Sequence, residues 1–181
     1  MTTLKQLREE KVHNRDIKVS TYKSKDNGII VEGELIDNRV VDTHHYDGGT
    51  RPPGTVHHLI IRLLVDKEFI IQDVEVEMPN TPHEECPQTQ NSLEEIIGLK
   101  IMRGFTLKIK EMFSNGKGCS HLSELLISMA PAAVQGFFTA FSTEPIPDGM
   151  GSSMKLFLAD TCWVWRKDGP ALKKLMEVGN K

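Results

Sequence analysis

From residue 57 to residue 78 the apolar positions fall into two runs that can pair. His57 to Val65 is densely aliphatic and Asp66-Lys67 supplies a turn. From Phe69 to Met78, Val74, Val76 and Met78 alternate with Asp73, Glu75 and Glu77. A period of two marks a strand with one buried and one wet face, so this stretch is predicted as a β-hairpin. Upstream, Ile17 to Tyr22 reads as a short alternating strand, Asp26-Asn27-Gly28 as a tight turn, and Ile29 to Ile36 as a second strand that Gly33 is expected to bend or bulge. His44 to Gly54, rich in Gly and Pro, reads as a loop.

After Pro79 the period lengthens. Ser92-Leu93-Glu94-Glu95 matches a capping box, and Leu93, Ile96 and Ile97 give a short apolar stripe that ends at Gly98. Phe105, Ile109, Met112 and Phe113 fall on one helical face stopped by Asn115-Gly116. Leu122, Leu125, Leu126 and Met129 open a third helix that Pro131 is expected to kink or split. Lys155 to Trp165 is predicted as a last strand and Pro170 to Val178 as a terminal helix. The order predicts an α+β fold, an antiparallel sheet with helices packed on one face. Residues 1–16 are expected to form an N-terminal arm and residues 17–181 a single α+β domain.

Composition narrows the classes. With 39% hydrophobic and 26% charged residues the chain can bury an ordinary core, so no metal is required merely to fold. A formal charge of −3 and few aromatics offer no surface for nucleic acid or anionic lipid. No apolar run is expected to span a bilayer, and the polar N-terminus suggests no signal peptide. Three widely spaced cysteines suit a reducing, cytoplasmic setting.

The candidate chemistry lies at element ends. Cys86 sits in Pro82-His83-Glu84-Glu85-Cys86-Pro87, between the hairpin and the first helix. Cys119 and His121 open the third helix, and His57 and His58 open the first hairpin strand. A tight hairpin brings His57 and the Met78–Cys86 stretch to the same end of the sheet. Zinc takes four tetrahedral N/S donors, and His57, Cys86, Cys119 and His121 make a Cys2His2 set, although no Cys-x-x-Cys knuckle is present. His83 is either another solvated loop histidine or an alternate ligand three residues from Cys86. A second reading is a metal-dependent hydrolase or isomerase with an open coordination position, in which Glu124, Asp42 or Asp73 acts as base. A third has no metal and makes Cys119 a reactive thiol at a helix N-terminus. Plainer roles stand beside these: Glu124 as a helix cap, His44, His45 and His13 as solvated side chains, and Cys162, beside Trp163 and Trp165, as a small buried hydrophobe.

The stretch from His57-His58-Leu59 through Cys86-Pro87 and Gly104-Phe105 to Gly118-Cys119-Ser120-His121-Leu122-Ser123-Glu124-Leu125 resembles a bacterial family known only as a domain of unknown function. Its members carry a Gly-Cys-Thr-His-Leu-x-Glu-Leu signature, and Asp160 to Trp165 resembles their C-terminal segment. The order of hairpin, Cys-initiated helix and Cys/His-initiated helix is more distantly similar to the IscU/NifU-type iron–sulfur cluster scaffolds. That likeness implies an IscU/NifU-like architecture in which Cys86 matches the middle cysteine, Cys119 with His121 the terminal pair, and His57 stands near the first cysteine. The scaffolds' Cys-Gly-Asp is replaced by Val56-His57-His58, and the terminal pair is Cys-x-His. Two thiols and two imidazoles favour zinc, or iron, over cluster assembly. The functional expectation is a metal-binding cytoplasmic module or accessory subunit, acting with a partner protein or as a homo-oligomer.

Overall fold

The structure, a computed structural model, describes residues 2–141, 155 and 158–178. Its strands in chain order are β1 (His13–Lys23), β2 (Ile29–Arg39), β3 (Thr43–His44), β4 (Thr50–Arg51), β5 (Gly54–Val65) and β6 (Ile71–Asn80). The frame is a four-stranded antiparallel sheet in the spatial order β1-β2-β5-β6. β1 and β2 meet through the expected turn, where Asn27 takes a left-handed φ of 59°. β5 and β6 form the expected hairpin. Its turn is organised by the Asp66 carboxylate, which accepts from the Glu68 and Ile70 amides and the Gln72 side chain. The α+β class and the antiparallel sheet thus follow the pattern of the chain.

The details differ in several places. β1 begins at His13, so residues 13–16 of the expected arm are strand. Within the expected 44–54 loop, β4 pairs with β3 as a small ribbon. The first helical segment is a 3-10 helix, Cys86–Ile96. Ser92 does not cap it from outside but donates to the Thr89 carbonyl within it. A first α-helix, α1 (Phe105–Phe113), ends where Asn115 and Gly116 turn left-handed, as expected. The next, α2 (Ser120–Phe141), runs through Pro131 without splitting. Pro131 is exposed, so water can serve the carbonyl that its ring leaves without an amide partner. Residues 159–165 are turns and bends rather than the expected strand; residues 156 and 157 of that stretch lie outside the described residues. Cys162 is exposed, not core. The terminal helix, α3 (Pro170–Val178), is present.

α2 lies across β1, β2 and β5 on one face of the sheet. By length and composition it could cross a membrane, contrary to expectation, yet here Leu122, Leu125, Leu126, Met129 and Ala133 are buried. Two glycines allow the close approach. A Cβ at Gly33 would stand 2.6 Å from Met129 Sδ, and one at Gly136 would run into Thr21. Gly33 is therefore where β2 admits the helix, and the irregularity expected there falls instead between Asp37 and Asn38.

Candidate functional site

The site continues the core by register. In β2 the fully buried positions are Ile29, Val31, Gly33, Leu35 and then Asp37. In β5 they are Val65, Leu63, Ile61 and Leu59, and the next residue of that parity is His57. In β1, Thr21, Val19 and Ile17 lead by the same alternation to Arg15. Cross-strand pairing sets Arg15 opposite Asp37 and Asp37 opposite His57, so three polar side chains form one row at the end of an apolar face. The first turn of α2 passes over that row and adds His121 and Glu124.

Asp37 is the centre, with a side chain only 3% exposed. Arg15 grips it with two hydrogen bonds, Nε to Oδ1 and a terminal nitrogen to Oδ2, both 2.7 Å. The other terminal nitrogen of Arg15 reaches Glu124. His57 Nδ1 lies 3.1 Å and His121 Nε2 3.8 Å from Asp37 Oδ2. The two imidazoles face one another, their centroids 3.8 Å apart. His13, expected to be merely solvated, places Nε2 3.3 Å from Asp37 Oδ1 on the outer side.

The Arg15 hydrogen bonds hold the Asp37 carboxyl below the usual carboxylate range, against the opposing effect of burial. Burial is the main reason that His57 and His121 titrate below the ordinary imidazole range; the attraction of Asp37 opposes it. For His121 the neighbouring His57 and Arg15 push in the same direction as burial. Both rings are therefore neutral at pH 7, the form in which imidazole donates a lone pair to a metal.

One donor atom each from Asp37, His57 and His121 lie within 4.8 Å of one another, and among the described residues no other group of three or more His, Cys, Asp or Glu side chains does so. Of the expected ligands the structure thus unites His57 and His121, and the third member is a carboxylate. Cys119 is next to the group but on the wrong side of it: its Sγ faces His121 Nδ1 at 3.9 Å, whereas Nε2 faces Asp37. Cys86, half-buried at the start of the 3-10 helix, is not in the group. The pairing of His58 with Asn80 does bring the stretch after Met78 to His57's end of the sheet, and His83 is close enough to lower the His57 titration slightly.

Among the candidate bases, Glu124 binds Arg15 rather than capping α2. Asp42 is exposed ahead of β3. Asp73 is exposed on the face of β6 opposite Val74, which packs against the core. The expected set lacks Asp37 and Arg15, and it gives His13 no role at the site. The signal for the first two is parity: each is a charged residue at the position where the alternation of its strand calls for an apolar one.

Residues 13–135 match the family described as "Protein of unknown function (DUF2889)", and the chain belongs to that family. The match starts at the first residue of β1, ends within α2, and contains every residue of the site. No curated protein and no solved structure matches the chain.

Proposed function

We propose that this member of the family is a metal-binding protein that holds a divalent cation, zinc or iron, with Asp37, His57 and His121. The observation that supports the reading is the convergence of those three donors from β2, β5 and α2. Two imidazoles and one carboxylate suit Zn(II) and Fe(II), and three protein donors leave positions for solvent or a further ligand. Such a set favours a site that exchanges ligands over a closed structural knuckle. It also sets cluster assembly aside, because the donors are nitrogen and oxygen rather than thiolate.

Asp37 is an ionised acceptor, so a neutral His57 that faces it through Nδ1 carries its ring proton there, and coordination through that nitrogen would need the proton to move to Nε2. Cys119 sits where it can accept from His121 Nδ1 and thereby leave Nε2 unprotonated.

Elemental analysis of protein prepared without a histidine tag tests the proposal. Zinc or iron near one equivalent is expected in the parent and in Cys86→Ala, with loss in His57→Ala, His121→Ala and Asp37→Asn. Equal metal content in all five proteins, or none in the parent after incubation with zinc, would sink it.

A further inference from the structure

We infer that Arg15 is a built-in competitor for the cation, so that the metal exchanges readily rather than staying as a structural fixture. The inference rests on the metal-binding reading above and concerns how that site is regulated.

Both oxygens of Asp37 are already bonded by a single guanidinium. Oδ2, the oxygen nearest His57 and His121, is one of them. A cation held by those two imidazoles and this carboxylate must therefore share Oδ2 with a fixed positive charge, and like charges at such separations repel strongly in a partly buried site. The guanidinium by itself satisfies the carboxylate. Asp37 is neutralised by Arg15, and among the described residues no buried side-chain nitrogen or oxygen lacks a hydrogen-bond partner.

Arg15 also has somewhere to go. It already reaches Glu124 on α2, a carboxylate that is half exposed and is not one of the three donors. Release of Asp37 to a metal leaves Arg15 an ion pair on the helix above. Loading and unloading then become an exchange of one cation for another at Asp37, with Glu124 retaining the arginine in between. A permanent structural site has no use for such a competitor; a site that must surrender its metal does.

The experiment is a competition titration of Zn2+ against a chromophoric chelator, using the full chain with no tag, as parent, Arg15→Met and Arg15→Lys. Methionine fills space without charge, and zinc should bind on the order of tenfold more tightly or better. Lysine keeps a charge but cannot span both oxygens, so its affinity should fall between the two. It also serves if Arg15→Met does not fold. Zinc binding by the parent with equal or weaker binding by the variants would show that Arg15 supports the ligand set instead of competing with it, and would overturn the inference while leaving the metal site standing. No binding by any of the three overturns both. Nuclear magnetic resonance of the Arg15 Nε–H gives an independent reading: its signal should move on zinc loading, and a resonance that stays put counts against displacement.

Discussion

Two arginines in this sheet have side chains exposed to the same extent, 30%, and each spans carboxylates from two elements. Arg62 bonds Glu32 at 2.7 Å and also reaches Glu77, on the face of the sheet away from α2. Arg15 bonds Asp37 and Glu124 on the face beneath α2. The difference lies in the acids. Glu32 is 35% exposed, whereas Asp37 is 3% exposed and shares its surroundings with two imidazoles. Water can replace any partner of Arg62, but it has little access to Asp37. One cluster decorates a surface, and the other is a place where charge has been confined.

Mutation should separate the two sharply. The largest effect is expected for Asp37→Ala, which strands Arg15 and two imidazole contacts and should cost about 3 kcal/mol in chemical denaturation, as for a broken buried pair. A loss below about 1 kcal/mol would place Asp37 in the same class as Glu32. Next comes ligand binding: added zinc at about a hundred times its dissociation constant should stabilise the parent by about 2.7 kcal/mol, seen as a rise in melting temperature that His121→Ala abolishes. Gly33→Val drives a side chain into Met129 and Leu125 above the confined face, and should cost about 1–3 kcal/mol in the same denaturation assay.

A smaller effect concerns pH. His57 and His121 titrate lower in the folded chain than in the unfolded one, so the unfolded state takes up more protons as the medium is acidified through about 6.5. Metal-free stability should therefore be flat above that pH and decline below it. Asp37, shifted downward by Arg15, adds a further loss only as pH falls below about 3.8. Melting curves between about pH 7.5 and 5 of the parent and of a double His57→Gln/His121→Gln variant check this; a parallel decline in both would assign the effect elsewhere. The smallest effect belongs to Arg62→Ala, below about 1 kcal/mol and fading with added salt.

The strands and helices are legible in the sequence because their period is. The 71–80 strand, α1 and the start of α2 stand where alternation and helical spacing put them. The departures have separate causes. Pro131 does not split α2, because an exposed helix position can lose one amide bond to water. Thr161, Trp163, Val164 and Trp165 are strand-prone residue types, but composition without a neighbour to pair with does not make a sheet. The site is legible by halves. His57 and His121 stand out because imidazoles at element ends attract notice, and the cysteines stand out for the same reason. Asp37 is hidden inside a strand, one residue past the end that the apolar pattern assigns, and only the register of three strands shows that it meets Arg15 on one side and His57 on the other.

The height at which α2 rides over the sheet is set by the absent methyl groups of Gly33 and Gly136. The same helix carries His121 over the Asp37 carboxylate, which follows Gly33 on the same buried face of β2. A single carbon added at either place would act as a shim, tilting the roof of the site without touching any of its donors. Tuning of the centre can therefore be sought well away from it, among residues that carry no charge and no lone pair.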